Sequence, residues 1–392
     1  MYIKRKLAAA CKEYKKFPVV AILGPRQSGK TTFAQHVFKK HQFVSLEDPE
    51  KRDFATRDPR RFLREMDNEH GIIIDEFQYV PQLLSYIQLE VDTHKRPSHF
   101  VLTGSQNFLM NQAITQTLAG RVGILTLLPF SLKELIDAHL ASDVDQILFH
   151  GGYPRIYDEK LLPRAFYPSY VHTYVERDVR ELATVGNLRT FQKFMQLCAG
   201  RVGQLLNISD LATNCSITRA TAESWLSVLE ASYIVFLLKP HFTNFNKRVT
   251  KTPKLYFYDT GLACSLLGIR SKQELSLSTF RGPLFESLMI SDLFKQYFNK
   301  GEQPPLYFWR DQNGRVEIDC LIDRGGVLTP IEIKSGETVV SDFFDSLTNW
   351  KELTEKNAQP GYVLYGGSSE QNRTKGHVIG WQKASDLINQ ID

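Results

Sequence analysis

Phe17-Pro-Val-Val-Ala-Ile-Leu-Gly-Pro-Arg-Gln-Ser-Gly-Lys-Thr-Thr-Phe33 is the stretch that decides the fold. Residues 19–23 form a short apolar run rich in β-branched residues, which predicts a strand covered on both faces. Residues 24–31 match G-x-x-x-x-G-K-[ST], the pattern of a phosphate-binding loop that leads into a helix. The alternative is an ordinary glycine-rich turn. Because strand, loop and helix follow in the required order, we predict an α/β fold, a P-loop NTPase domain with a parallel sheet.

The loop supplies a set of candidate nucleotide ligands. Gly24 and Gly29 let the backbone turn tightly and bring its N–H groups onto phosphate oxygens, and the positive end of the following helix adds to that field. Lys30 can reach the β- and γ-phosphates, and Thr31 can ligate Mg²⁺. The predicted nucleotide-binding residues are Gly24, Pro25, Arg26, Gln27, Ser28, Gly29, Lys30, Thr31 and Thr32. We therefore expect ATP and Mg²⁺ as cofactors.

Two acids follow a run of three isoleucines at residues 72–74. Asp75 would lie at the carboxyl end of this strand, the edge at which parallel α/β sheets bind ligands. From there Asp75 can hold Mg²⁺ through water, while Glu76 can orient and deprotonate the water that attacks ATP. Gln78 is a further candidate for a role near that water. The alternative is a pair of surface acids after a buried strand.

The apolar strand predicted near residues 99–105 also ends in polar residues. In ATPases with an additional strand between the phosphate-loop strand and the acidic strand, that strand ends in a polar sensor of the γ-phosphate. Ser105 is the candidate here, with Gln106 and Asn107 behind it. A plain turn at the end of a strand would explain the same residues.

Arg121 follows a glycine in Leu-Ala-Gly-Arg at residues 118–121 and precedes an apolar strand. An arginine supplied by a neighbouring subunit can stabilise the charge of the transition state, which would require a homo-oligomer. A salt bridge within the chain is an equal alternative. Arg177, on a helix predicted at residues 167–185, could sense the nucleotide or pair with a neighbouring acid.

The sequence at residues 207–229 has the pattern of a helix-turn-helix, in which Ser209 and Thr218 would cap the two helices. The residues predicted to face the core are Ala222, Trp225, Leu226 and Leu229. Residues 233–238 would then form the first strand of a wing. The residues predicted to face a DNA groove are Thr218, Arg219, Thr221 and Ser224. Because this helix holds few cations, a winged helix that packs on protein is the alternative.

The sequence of the C-terminal third predicts a β-hairpin. Its acidic residues and one lysine have the spacing found in many Mg²⁺-dependent nucleases. Strands at residues 316–322 and 327–334 would be joined by a turn at Arg324-Gly-Gly. Asp319, Glu332 and Lys334 follow the D-(D/E)-x-K arrangement of many Mg²⁺-dependent nucleases, and Glu286 lies on the preceding helix. The three carboxylates could bind Mg²⁺, while Lys334 steadies the water or the phosphate. Charges on the solvated face of a hairpin are the alternative.

Alternation along this hairpin predicts its register. One buried face would hold Ile318, Cys320, Ile322, Ile331 and Ile333. The other face would hold Glu317, Asp319, Glu332 and Lys334. If Asp323 pairs with Gly326, then Asp319 opposes Pro330 and lies diagonal to Glu332, at about 7 Å.

Composition places few limits on function. The 392 residues predict two or three domains. Lys and Arg total 48 against 43 Asp and Glu, and the net charge of +5 permits nucleic-acid binding without indicating it. The five cysteines are scattered, which argues against disulfides and a zinc site. The sequence shows neither a signal peptide nor the about 20 apolar residues of a membrane helix. We expect a cytoplasmic protein without membrane contact.

The order of these motifs resembles a bacterial and archaeal family of AAA-type ATPases. Its members join an ATPase domain of AAA group 14 to a C-terminal uncharacterised domain numbered 4143. The resemblance rests on Gly24-Pro-Arg-Gln-Ser-Gly-Lys-Thr-Thr32, Ile72-Ile-Ile-Asp-Glu-Phe-Gln78, Leu102-Thr-Gly-Ser105, Leu118-Ala-Gly-Arg121, Tyr174-Val-Glu-Arg-Asp178, Tyr258-Asp-Thr-Gly-Leu262, Phe285-Glu286, Trp309-Arg310, Glu317-Ile-Asp319 and Glu332-Ile-Lys334.

This resemblance implies three regions: an AAA-type ATPase domain at residues 1–140, a helical and winged-helix region at 141–240, and a restriction-endonuclease-like domain at 241–392. Two functions remain open. The first is an Mg²⁺-dependent ATPase that couples hydrolysis to work on nucleic acid, with a C-terminal domain that binds or cuts DNA. The second is a nucleotide-dependent switch or protein-remodelling ATPase, whose C-terminal domain docks a protein partner without cleavage.

Overall fold

A computed structural model describes residues 2–105, 114, 116–174, 188–241, 252–311, 313–354 and 359–391. The chain divides into two units. The first comprises residues 1–130, 231–233 and 298–302, and the second comprises residues 131–230, 234–297 and 303–392. The division into three domains stays a prediction.

The first unit contains a parallel sheet. Its strands within the described residues are β1 (Val19–Gly24), β2 (Gln42–Ser45), β3 (Ile72–Asp75), β4 (Phe100–Ser105) and β5 (Val122–Thr126). They lie in the order β2-β3-β4-β1-β5, and each neighbouring pair is parallel. β4 therefore lies between the phosphate-loop strand and the acidic strand, and the predicted α/β fold with a parallel sheet is confirmed.

Apolar side chains cover both faces of this sheet. The described α-helices of the unit are α1 (Cys11–Tyr14), α2 (Lys30–Val37), α3 (Pro49–Arg57), α4 (Pro59–Met66) and α5 (Leu83–Thr93). Successive β1 side chains enter different cores. Ala21 packs in one core with Phe62 of α4 and Leu84 of α5, and Val20 packs in another with Phe33 of α2. This two-sided burial is why residues 19–23 form a continuous apolar run instead of alternating with polar residues.

The charged segment after β2 forms the two helices α3 and α4. Asp58 separates them, and its carboxylate accepts the N–H of Arg61 at 3.1 Å, which caps α4. Pro59 then occupies the first helical position. Proline lacks the N–H needed inside a helix but suits its first turn, so the break falls here.

The second unit begins with helices. Within the described residues they are α6 (Leu132–Asp137), α7 (Val144–His150), α8 (Pro154–Asp158), α9 (Pro163–Tyr174), α10 (Leu188–Ala199), α11 (Ile208–Cys215) and α12 (Arg219–Ala231). The helix predicted at residues 167–185 corresponds to α9, and Arg177 lies outside the described residues. In the part of the chain that is described, each helix is too short or too polar to cross a lipid bilayer.

α11 and α12 form the predicted pair of helices. The prediction that Ser209 caps the first was wrong, because Asn207 accepts the N–H of Asp210 at 3.1 Å and begins the helix earlier. Thr218 caps the second helix as predicted, through the N–H of Thr221 at 3.1 Å. The predicted apolar stripe of α12 is buried: Ala222, Trp225, Leu226 and Leu229.

A two-stranded antiparallel sheet follows this helix pair. It consists of β6 (Val235–Leu238) and β7 (Lys254–Phe257). The winged helix itself stays a prediction. The described helices after β7 are α13 (Thr260–Leu266), α14 (Lys272–Leu277) and α15 (Arg281–Lys300).

The C-terminal part of the second unit is a mixed sheet. Its described strands are β8 (Leu306–Arg310), β9 (Glu317–Arg324), β10 (Val327–Lys334), β11 (Tyr362–Tyr365), β12 (Gln371–Arg373) and β13 (Gly376–Gly380), in the order β12-β13-β11-β10-β9-β8. The later helices are α16 (Asp345–Thr354), α17 (Trp381–Ala384) and α18 (Leu387–Ile391). β10 is parallel to β11 and antiparallel to β9. The restriction-endonuclease-like fold stays a prediction.

The β9–β10 hairpin forms, but its predicted register was wrong by two residues. Asp323 pairs with Leu328 instead of Gly326, because the turn consists of Gly325 and Gly326 alone. Both glycines have a positive φ, +62° and +91°, which a two-residue hairpin turn requires. Because Cys320 pairs with Ile331, Asp319 and Glu332 are the next residues along the two strands.

A bulge in β9 also changes the predicted faces of the hairpin. Leu321 pairs with Tyr307, whereas Ile318 pairs with Trp309, so two residues of β9 lie opposite one residue of β8. Ile318 and Leu321 consequently share a face and pack in one core. The prediction that Ile318 shares its face with Cys320 was wrong. The hairpin is also buried on both faces, since Glu332 is only 1% exposed.

Candidate functional site

The phosphate loop joins β1 to α2 through a path that needs glycine at both ends. Gly24 has a φ of +155°, and a Cβ there would stand 2.2 Å from the carbonyl oxygen of Leu127. Gly29 begins α2 in the left-handed region, with a φ of +89°. This backbone aims the start of α2, with its N–H groups not bonded within the helix, at the space inside the loop. The predicted strand–loop–helix is therefore formed.

Lys30 and Ser28 lie inside this loop. Lys30 is 6% exposed, and its Nζ donates hydrogen bonds to the carbonyls of Gly24 and Pro25, at 3.1 and 2.7 Å. The Ser28 hydroxyl is buried and makes no hydrogen bond within the described part of the chain. A buried cation beside an unsatisfied hydroxyl and several N–H groups fits a phosphate group.

Asp75 lies beside Thr31 at the carboxyl end of β3. Thr31 Oγ1 donates to Asp75 Oδ1 at 2.9 Å, and the Thr103 hydroxyl donates to the same oxygen. Burial raises the pKa of Asp75, while these two hydrogen bonds oppose that rise. A hydroxyl and a carboxylate oxygen are hard ligands, so this pair fits Mg²⁺. Thr103 was not predicted, although it is the polar residue of β4 paired with Asp75.

Glu76 directly follows Asp75 and has a φ of +52°, in the left-handed region that non-glycine residues rarely adopt. The Gln78 amide donates a hydrogen bond to the Glu76 carboxylate. A Cβ on Gly104 would lie 2.3 Å from Gln78 Oε1, so Gln78 packs closely against β4 at this glycine. Gln78 therefore holds the carboxylate of Glu76.

The other predicted residues of this site are placed only in part. The backbone of Ser105 pairs with Gly24, so β4 ends level with the start of the loop. The Ser105 side chain, Gln106 and Asn107 lie outside what the structure describes. The γ-phosphate sensor therefore stays a prediction.

Arg121 lies at the opposite, amino edge of the sheet. Its carbonyl accepts the N–H of Val19 at 3.2 Å, and its guanidinium binds both oxygens of Asp92, at 2.6 and 2.9 Å. The structure thus shows the salt bridge that was one of the two alternatives. Action of Arg121 on a neighbouring subunit stays a prediction.

A second polar centre lies in the second unit, around Lys254 of β7, which the sequence analysis missed. Lys254 is 4% exposed. Its Nζ lies 3.3 Å from Glu286 Oε1 and is also paired with Glu317. The Tyr256 hydroxyl donates to the same oxygen of Glu286. Lys254 therefore pairs with both acids within the chain.

The predicted residues of the hairpin join this centre. Lys334 Nζ lies 2.8 Å from Glu332 Oε2, and the N–H of Ile333 donates to Asp319 Oδ2 at 2.8 Å. Burial raises the pKa of Glu286 and of Glu332, and the neighbouring charge of Asp319 raises both further. The structure therefore brings together all four predicted residues of the C-terminal region.

These carboxylates do not fit Mg²⁺ in their present arrangement. Among the described residues no group of three His, Cys, Asp or Glu is placed to hold a metal ion. Glu286 Oε1 already accepts from Lys254 and Tyr256, and Asp319 Oδ2 accepts from Ile333. Glu332 Oε1 is buried and accepts no hydrogen bond from the described residues, so this oxygen is still available as a metal ligand. The magnesium site of Glu286, Asp319 and Glu332 stays a prediction.

Two solved structures are similar to the chain at low identity. The Walker-type ATPase PABY2304 of Pyrococcus abyssi is 16% identical, with a TM-score of 0.44, over 68% of this chain and 96% of that one. RuvB of Thermotoga maritima is 18% identical, with a TM-score of 0.31, over 64% of this chain and 90% of that one. At these TM-scores the fold assignment depends instead on the strand order and on sequence.

The family model for an AAA domain matches residues 16–136, which include the phosphate loop, Asp75 and Glu76. Models for two domains of unknown function, DUF8612 and DUF4143, match residues 141–273 and 281–384. Uncharacterised proteins of Mycobacterium bovis and Mycobacterium tuberculosis are each 30% identical over 345 residues, 86% of this chain and 75% of the relative. The chain therefore belongs to the family of AAA-type ATPases that carry a C-terminal DUF4143 domain.

Proposed function

We propose that the protein is an Mg²⁺-dependent ATPase that couples ATP binding and hydrolysis to action on nucleic acid. The observation that carries the ATPase is the 2.9 Å hydrogen bond between Thr31 and Asp75, beside the buried Lys30. In phosphate-loop ATPases this hydroxyl and this carboxylate hold Mg²⁺, and the lysine of the loop contacts the β- and γ-phosphates.

Each residue of the first site has a distinct role in this proposal. The loop N–H groups and Lys30 bind and orient the phosphates, while Thr31 and Asp75 hold Mg²⁺. Mg²⁺, when bound, neutralises charge on the β- and γ-phosphates. Glu76 orients the attacking water and accepts its proton. In an oligomer, Arg121 of a neighbouring copy would stabilise the charge of the transition state. Ser105 would sense the γ-phosphate within its own chain.

Phosphate release from ATP tests the first site. Lys30→Ala removes the buried cation, and we expect hydrolysis to fall to background. Lys39→Ala removes an exposed lysine of the same unit and should leave the rate unchanged. Hydrolysis by Lys30→Ala at the wild-type rate would refute the assignment.

Action on nucleic acid is supported by the joining of Asp319, Glu332 and Lys334 at the second centre, the residue types that contact phosphodiesters in Mg²⁺-dependent nucleases. Fluorescence anisotropy of labelled single- and double-stranded DNA should show binding that weakens as salt rises, because contacts to phosphates release counterions. A plasmid nicking assay in Mg²⁺ then separates binding from cleavage. Absence of affinity at low salt would overturn this part of the proposal.

A second candidate is a nucleotide-dependent switch or protein-remodelling ATPase with a non-cleaving C-terminal docking domain. The observation that favours it is the pairing of Lys254 with Glu286 and Glu317, which gives both acids a cationic partner without a metal. It predicts intact plasmid and an oligomeric state that changes with ATP, measured by light scattering. DNA-stimulated hydrolysis would contradict it.

A further inference from the structure

Arg5 reaches the phosphate loop from the start of the chain. Its side chain is 4% exposed, and its Nη1 donates a hydrogen bond to the carbonyl of Ser28 at 2.8 Å. Its Nη2 donates to the carbonyl of Leu128, just beyond β5. The guanidinium also lies 4.8 Å from the centre of the Phe130 ring. One buried cation therefore contacts the loop, the segment after β5 and an aromatic face.

The Ser28 carbonyl needs such a donor. When N–H groups of a phosphate loop turn inward to a ligand, its carbonyls turn outward, and a buried carbonyl left without a hydrogen bond is costly. A guanidinium gives it a charge-assisted bond in a fixed direction. The second hydrogen bond goes to Leu128, so Arg5 links the loop to the segment after β5. Leu127 of the same segment lies close to Gly24 at the start of the loop.

The segment that carries Arg5 is fixed to the same structure. Leu7 is buried in one core with Val20 of β1 and Phe33 of α2. The Tyr2 ring stacks on His36 of α2, with 3.6 Å between ring centres. The guanidinium therefore has anchored residues on both sides of it, and it is held where the loop needs a donor.

We propose that Arg5 is a positioning residue of the ATP site, which holds the Ser28 peptide so that the loop N–H groups face the phosphates of a bound nucleotide. This inference rests on the proposed ATP binding. Arg5 acts through the loop backbone and touches no nucleotide atom. Because the loop surrounds phosphates that ATP and ADP share, the effect of Arg5 concerns binding of both nucleotides more than the hydrolysis step.

Calorimetric titration of the full chain with ATP and with ADP, both in Mg²⁺, tests the proposal. For Arg5→Met we expect the Kd of each nucleotide to rise about tenfold or more, since a charge-assisted bond is lost, and KM to rise while kcat stays nearly constant. Arg5→Lys retains the charge and one donor direction, so it should recover part of the affinity. Lys4→Met, an exposed neighbour, is the matched control.

The outcomes separate this inference from the proposed function. If wild type does not bind ATP, or if Lys30→Ala binds as wild type does, ATP binding at the loop is refuted. If Lys30→Ala loses binding while Arg5→Met and Arg5→Lys keep the wild-type Kd, the role of Arg5 is refuted. A lower Tm with an unchanged Kd means a structural role alone and also refutes it. If Arg5→Met does not fold, Arg5→Lys decides: a raised Kd supports the role and a wild-type Kd overturns it.

Discussion

Glu76 combines a rare backbone conformation with a restrained side chain. Its φ of +52° costs a non-glycine residue about 1–3 kcal/mol, which the surrounding structure must offset. The hydrogen bond from Gln78 and the buried strand before it hold the residue there. Because of this left-handed conformation, the side chains of the two consecutive acids have different partners. Asp75 bonds to Thr31, whereas Glu76 bonds to Gln78.

This separation predicts a specific defect for Glu76→Gln. The amide keeps the size of the side chain but cannot accept a proton from water, so we expect kcat to fall by about 10²–10⁴-fold while ATP still binds. Single-turnover hydrolysis and nucleotide retention on a spin column measure the two properties. Glu50→Gln, an exposed acid of the same unit, is the control. Normal turnover by Glu76→Gln would show that another residue handles the water.

Single residues were predictable where their chemistry is tied to local sequence. Lys30, Thr31 and Asp75 follow from a loop and a strand whose spacing is fixed by the fold, and the structure places them together. Arg5 and Lys254 were not predictable in this way. Each reaches its partners through tertiary packing from a distant segment, and no local pattern marks a lysine or arginine that will be buried.

Asp259 is the point at which three elements of the second unit meet. Its carboxylate caps α13 through the N–H of Leu262 at 2.9 Å, accepts the N–H of Gly152 at 2.7 Å, and accepts the hydroxyl of Tyr167 at 2.7 Å. A Cβ on Gly151, which has a φ of +68°, would lie 2.1 Å from the Tyr167 hydroxyl oxygen. The loop after α7 therefore needs glycine for both its backbone and its packing.

Asp259→Asn should weaken this junction. An amide nitrogen cannot accept from Gly152 or Tyr167, so one buried donor would lose its partner, and we expect the free energy of unfolding to fall by about 1–3 kcal/mol. Urea unfolding followed by fluorescence measures the change. Asp48→Asn is the matched control, because Asp48 caps α3 at an exposed position where asparagine caps equally well. Equal stability of the two variants would contradict the role of Asp259.

The hairpin shows how far element-level prediction extends. Alternation identified β9 and β10 and the turn between them, but not their register, because the sequence allows a longer turn as well as the two-residue turn at Gly325 and Gly326. The bulge opposite Phe308 has no local signal either. It arises from the pairing with β8, and it moves Ile318 onto the face of Leu321.

At the scale of the whole molecule, the phosphate-loop site of the first unit and the centre around Lys254 in the second unit differ in charge balance. The centre of the first unit joins one buried lysine to hydroxyls, loop N–H groups and two acids. In the second unit Lys254 and Lys334 face four acids: Glu286, Glu317, Asp319 and Glu332. The family matches extend over both units but state no activity for the second. Because Lys254 pairs with Glu286 and Glu317, we expect metal binding by these acids to depend on whether Lys254 is present.

Lys254→Met tests that dependence. Methionine fills a similar volume without charge and leaves the buried Glu286 without its cation, while the half-buried Glu317 keeps Arg310, so we expect the free energy of unfolding to fall by about 3–5 kcal/mol. The carboxylates freed from Lys254 should then attract Mg²⁺, which binds the folded state and raises Tm. Thermal unfolding with and without Mg²⁺, in the absence of nucleotide, should show this rise in the variant and none in wild type. Lys351→Met, an exposed substitution in the same unit, should behave as wild type. An equal rise of Tm with Mg²⁺ in wild type and in Lys254→Met would contradict the dependence on Lys254.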